Sequence, residues 1–270
     1  MTSTLSPWHV KQDPPDNEIR AAMASDPVWH CFGLANLEPT MRPFTQFVLA
    51  ATEDGQERAS IFILRHPYIG DVISPSGSVA GVAAILQQVE LPEHVLIQAQ
   101  EPHIALLEEY YRPDALLRQI QRMSVTTKPA IHSLPHKVQR LTEFDLQAVQ
   151  QLYIAHQPAD MIFSPELFAE EVFYGVYTGD QIVAAGGTHA LVPSAGFAVL
   201  GRILTAPQER GLGLGTSVTT ALVQALQSEG YPIVMLNVFT DNVPAIKVYE
   251  RVGFQKSCLF WTGKARKKHL

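Results

Sequence analysis

The sequence predicts an α/β protein of the α+β mixed-sheet kind, built as two related domains in tandem. Three observations lead there. Short alternating runs of strand type are interleaved with apolar stretches of helical period. The order helix, strand, helix, strand over residues 78–125 returns over residues 214–262. A glycine-rich turn, 205–216, stands between the alternating run Phe197–Leu204 and an apolar-periodic helix.

Taken in order, residues 1–127 form the first domain. Met1 to about Pro15 reads as a flexible leader, and Asn17–Leu37 carries a helical pattern through Ile19, Ala22, Met23, Val28, Trp29 and Phe32. Gln46–Ala51 and Arg58–Leu64 read as strands around the turn at Asp54-Gly55. Ser78–Val89 reads as a helix, His94–Ala99 as a strand, Pro102–Tyr111 as a helix and Leu116–Val125 as a strand. Residues 128–137, with Pro129 and Pro135, lack periodicity and read as a linker. Residues 138–270 form the second domain. It opens on the strand Lys137–Leu141 and a helix to His156, where Thr142 and Asp145 approximate a capping box. Ser164-Pro165 starts a second helix. Strands Val172–Thr178, Gln181–Leu191 and Gly196–Leu204 follow, then helix Leu214–Glu229, strand Ile233–Val238, helix Val243–Arg251 and strand Phe254–Thr262.

Composition narrows the class. Of 270 residues, 46% are hydrophobic and 17% charged, enough for a substantial core. A net charge of −6 argues against a nucleic-acid partner. No run of about eighteen apolar residues would span a membrane, and the first residues lack the apolar core of a signal peptide. Cys31 and Cys258 fit reduced thiols in a cytoplasm, with a disulfide between them left open. The basic cluster Lys264–Lys268 reads as a frayed soluble tail.

The turn is the most informative feature. It follows a strand and opens a helix, so its free amides lie at the positive end of a helix dipole, a natural seat for a diphosphate. Glycine permits positive φ and close approach. No Gly-Lys-Ser/Thr closes it as in a triphosphate loop, and Gly211-x-Gly213-x-Gly215 misses the dinucleotide spacing. Instead the chain holds Gln208-x-x-Gly211-x-Gly213 and, downstream, Asn242-Val-Pro-Ala-Ile-Lys-Val-Tyr-Glu-Arg-Val-Gly-Phe254. Together these resemble the GNAT superfamily of acetyl-coenzyme A-dependent N-acetyltransferases over roughly 138–261. The resemblance implies the GNAT fold, with a degenerate first domain beside a catalytic second one.

It also implies a chemistry. Acetyl-CoA would be the co-substrate and a small-molecule or peptide amine the acceptor, in a monomer or homodimer without nucleic-acid or membrane partners. Arg210, Gly211, Leu212, Gly213, Leu214, Gly215 and Thr216 would hold the diphosphate, with a Thr216 or Ser217 hydroxyl adding a bond. Ile203, Leu204 and Thr205 would offer backbone groups to the pantetheine arm and thioester. Asn242 and Ala245 belong to the second motif, Asn242 as helix cap and cofactor contact. Tyr249 would be the general acid, since a phenol is protonated at neutral pH. Asn237, a polar residue in an apolar strand, reads either as a cofactor contact or as an internal hydrogen bond. The base stays open among His189, Glu166, Glu170, Glu171 and a water chain. No metal site is expected. Two other readings stay open: an acyl-CoA-sensing protein without turnover, and a transferase of longer acyl groups.

Overall fold

The computed structural model describes residues 8–129, 135–156, 168 and 171–269. Its chain divides into two compact units, residues 1–121 with 258–270, and residues 122–257.

In the first unit, β1 (Trp8–Gln12) pairs antiparallel with β2 (Thr45–Thr52), Trp8 facing Thr52. The expected leader is therefore a strand from residue 8 on, because Trp8 and Val10 pack against the core. The single expected helical stretch is two helices, α1 (Asp16–Met23) and α2 (Cys31–Ala35). Between them Pro27 disfavours continued helix, and the Asp26 carboxylate accepts from the Trp29 amide at 2.9 Å. β3 (Arg58–His66) and β4 (Gly70–Gly77) extend the antiparallel meander. β4 was not foreseen because it carries Pro75. The proline is tolerated because the parallel pairing of β4 with β5 (His94–Ala99) is registered only at Val72 and Ile73. α3 (Val79–Leu86) joins these two strands; α4 (Ile104–Tyr110), β6 (Tyr111–Pro113) and β7 (Arg118–Val125) follow. Neither Cys31 nor Cys258 is bridged.

In the second unit the end of β7 is followed by β8 (Gln139–Leu141), the capping box of Thr142 and Asp145, and α5 (Leu146–His156). The helix expected at Ser164, with Glu166 and Glu170, lies outside the described residues. β10 (Gln181–Val192) runs antiparallel to both its neighbours, β9 (Phe173–Thr178) and β11 (Phe197–Thr205). α6 (Leu214–Ser228) then leads to β12 (Ile233–Phe239), parallel to β11. α7 (Val243–Val252) and β13 (Gln255–Lys267) end the chain. The sheet order is β12-β11-β10-β9-β8. One face of α6 is driven into it: Val218, Leu222, Val223 and Leu226 are fully buried, each burial contributing about 1.5–3 kcal/mol.

Each unit is completed by a strand that belongs, in sequence order, to the other. At the end of β7, Met123 and Val125 sit in the second unit's core, and the Arg122 guanidinium donates to Asn237 in β12 at 2.9 Å. In return, Trp261–Arg266 of β13 pair with Ala99–His94 of β5. The expected frayed tail is thus part of a strand. Ala265 is buried, Arg266 pairs with Asp114 at 3.0 Å, and Lys268 donates to the Glu108 carbonyl. The last residues therefore pack with the first unit rather than with the 138–270 segment.

Candidate active site

Within the second unit, β11 and β12 are registered from Phe197 opposite Ile233 to Leu200 opposite Leu236, and no further. From Gly201 to Thr205, β11 keeps only β10 as a paired neighbour. Backbone polar groups alternate sides along a strand. The Ala206 amide reaches back to Val183 on β10, so Leu204 faces β10 while Ile203 and Thr205 face the side that β12 has left. Of the three residues expected to offer backbone groups there, alternation therefore selects Ile203 and Thr205.

The strand is also bulged. Gly187 faces Gly201 and Ala185 faces Leu204, so Gly186 alone opposes Arg202 and Ile203. Arg202 takes φ +54°, the left-handed region, which costs an ordinary residue roughly 1–2 kcal/mol. Its side chain is largely buried and tied down. The guanidinium pairs with Glu171, donates to the Thr188 carbonyl at 3.0 Å and lies 6.0 Å from the centre of the Phe173 ring. The Tyr153 hydroxyl donates to Arg202's own carbonyl. A Cβ on Gly186 would stand 2.9 Å from Ile203 Cγ1, so the bulged side chain fills the space that a larger residue would take.

The glycine turn follows. Gly211 and Gly213 adopt φ +83° and +82°, and Gly213 caps α6 without any side-chain cap. Ser217 is the first residue of the helix whose amide reaches a carbonyl, that of Gly213 at 3.0 Å. Among the described residues, the amides from Gly211 to Thr216 meet no protein acceptor. A Cβ on Gly211 would touch nothing within 4 Å; on Gly213 it would meet only His136 Nε2, at 4.0 Å. Those glycines answer to backbone conformation and leave an open side. Unbonded amides, a fifteen-residue helix dipole and open space fit a diphosphate. Arg210 is exposed, and its Nε donates to the Thr205 carbonyl at 3.4 Å, leaving its terminal nitrogens toward solvent. Leu212 is exposed and Leu214 buried. The Ser217 hydroxyl is buried without a partner. His136, read from sequence as linker, donates from Nε2 to the Leu212 carbonyl at 2.7 Å. Proline-rich surroundings gave no hint of that contact.

α7 borders the turn: Val248 lies 4.0 Å, and Thr205 Oγ1 3.5 Å, from where a Cβ on Gly215 would be. Asn242 caps α7, its side-chain oxygen accepting from the Ala245 amide at 3.3 Å. Tyr249 is 8% exposed, packs edge-on to Phe254 at 6.0 Å, and its pKa is pushed up to about 12 by burial. Among the described residues its hydroxyl has no hydrogen-bond partner. Gly253, at φ +113°, ends the helix as expected. Asn237 spends its side-chain oxygen on Arg122, so the internal hydrogen bond is present. His189 is the extra residue of a second bulge, between Thr188 and Ala190, and packs its Cβ 3.1 Å from where Gly201 would carry one. The residue as a whole is exposed, yet the protein around its ring, with the Arg202 cation adding, pushes its pKa down to about 4. Glu171 is paired with Arg202 and so is a poor candidate for a free base.

The corresponding turn of the first unit is closed. A Cβ on Gly77 would lie 2.3 Å from the Arg58 carbonyl oxygen, and the Ser78 hydroxyl at the start of α3 donates to the Glu57 carboxylate at 2.7 Å. A negative group already stands where an anion would have to enter.

A strand parted from its parallel neighbour, followed by a turn of open amides at a helix start, is a geometry that fits a diphosphate carrier laid along a strand edge. Residues 140–254 match the model of the Acetyltransferase (GNAT) family. The mycothiol acetyltransferase of Streptomyces scabiei is 36% identical over 84 residues, 30% of this chain and 26% of that protein's length. A GCN5-related N-acetyltransferase from Sphaerobacter thermophilus superposes with TM-score 0.61 at 17% identity, covering 96% of this chain and 95% of its own. A tandem GNAT protein from the clavulanic acid biosynthesis pathway gives 0.54 at 13% identity, covering 96% and 98%. These two share the fold, the second in its tandem form.

Proposed function

We propose that the second unit transfers the acetyl group of acetyl-CoA to a primary amine. The observation that carries this reading is the turn of unbonded amides from Gly211 to Thr216, held by two positive-φ glycines at the start of α6. Acetyl-CoA supplies an activated acetyl group. The amides of the turn hold its diphosphate, and Arg210's terminal nitrogens add charge to the rim. Ile203 and Thr205 offer backbone groups to the pantetheine arm and the thioester carbonyl, where a fixed N–H stabilises the charge that develops as the amine attacks. The Tyr249 phenol, still protonated at neutral pH and with its hydroxyl unspent, gives its proton to the departing thiolate. His189, neutral under the same conditions, accepts a hydrogen bond from the incoming amine and orients it; the proton the amine loses passes to water, and the Tyr249 phenolate regains a proton from solvent.

The relatives' name, mycothiol acetyltransferase, supports acetyl transfer; the acceptor here is put forward only as an amine, small or peptidic. The test is release of free thiol from acetyl-CoA with pools of amines, run on the wild type and Tyr249→Phe. Phenylalanine should lower turnover and leave coenzyme A affinity unchanged. Equal turnover in both proteins would remove Tyr249 from the reaction, and binding without turnover for any amine would make the protein a sensor of its carrier.

A further inference from the structure

We infer that Arg202 is a positioning residue: clamped by Glu171 and Tyr153, it holds the β11 bulge open so that the Ile203 amide meets the thioester. This rests on the transfer reading above and adds to it the device that shapes the strand. Three features of the strand converge on Arg202. Among the described residues it is one of two non-glycine residues with positive φ, the other being Asp13 in the first unit. It stands at the point where β11 carries one more residue than β10. It is also held at both ends, the backbone carbonyl by the Tyr153 hydroxyl and the guanidinium by the Glu171 carboxylate and the Thr188 carbonyl. An arginine does not choose the left-handed region unaided, and strain of this kind persists only where the surroundings over-determine it. The same bulge shifts the alternation so that Ile203 faces the side from which β12 has parted. Without the clamp, residue 202 relaxes to extended backbone, and the amide of residue 203 rotates away from that side.

The diphosphate turn lies beyond Thr205 and does not depend on the clamp, which gives a clean separation. Calorimetric affinities for coenzyme A and for acetyl-CoA should be measured on wild type, Arg202→Ala, Glu171→Gln, Tyr153→Phe and Arg202→Gly. The wild type should prefer acetyl-CoA, because only that ligand has a thioester carbonyl for the Ile203 amide. Alanine at 202, and the two clamp variants, should lose that preference and lower kcat while holding coenzyme A affinity. Glycine at 202, free to adopt φ +54° without a clamp, should restore at least part of both. Full preference retained in Arg202→Ala and Glu171→Gln, or none in the wild type, overturns the inference. Failure of the wild type to bind either carrier overturns the transfer reading itself, and the clamp with it.

Discussion

Gly213→Ala separates backbone strain from ligand loss, provided it is run beside Gly55→Ala. Both glycines hold positive φ, +82° and +68°, and a Cβ at either site lies at least 4 Å from its surroundings. Alanine in that conformation costs roughly 1–2 kcal/mol, offset in part by about 0.4–1 kcal/mol from a less flexible unfolded chain. Both variants should therefore melt a few degrees lower, at about 2–4 °C per kcal/mol for a domain of this size. Only Gly213 belongs to the turn of open amides. If alanine refuses φ +82°, the amide of residue 213 swings off the diphosphate. One hydrogen bond to a charged group is worth about 1.5–3 kcal/mol, so coenzyme A affinity should fall by roughly 10- to 150-fold. Calorimetric titration with coenzyme A reads this directly. Undiminished affinity in a folded Gly213→Ala protein, or an equal loss in Gly55→Ala, would refute the reasoning.

Other outcomes follow from the same geometry. His136→Ala should weaken coenzyme A binding at unchanged kcat, because the 2.7 Å bond to the Leu212 carbonyl fixes the peptide whose other face carries the Gly213 N–H; His136→Gln, which keeps a donor, should recover part of it. Coenzyme A should bind once per chain by titration, since the first unit's turn is filled by Gly77's neighbours and Glu57; two equivalents would contradict that. With the Tyr249 pKa raised to about 12 from 10.0, turnover should show no alkaline fall assignable to its phenol up to about pH 10. The His189 ring signals should not titrate by NMR between about pH 5 and pH 8. Its pKa is lowered from 6.5 to about 4, so the unfolded chain takes the proton first, and its contribution to stability is lost as pH falls through that window.

Much of the second unit was legible because its signals are local. Alternation marked β10 and β11, glycines marked the turn, and Asn242 with Gly253 marked both ends of α7. The clamp was not legible. Nothing near Arg202 in sequence announces positive φ, since the groups that hold it, Tyr153, Glu171 and Thr188, come from distant segments. β4 escaped because Pro75 argues against a strand unless its pairing is known. His136 escaped because a hydrogen bond to a main-chain carbonyl leaves no pattern in side-chain types. Partner choice for β7 and β13 escaped for the same kind of reason: periodicity announces a strand, not its neighbour.

That choice bears on how the chain is made. The strand that covers the outer edge of β5 is made long after β5 itself, so during synthesis Val95, Leu96 and Ile97 wait with open hydrogen-bonding groups. An early fragment ending near residue 127 would carry that bare edge permanently and invite self-association. Joining residues 258–269 to such a fragment through a short linker should quench it, and comparison of the two by light scattering would show whether completion of the first unit awaits the synthesis of β13.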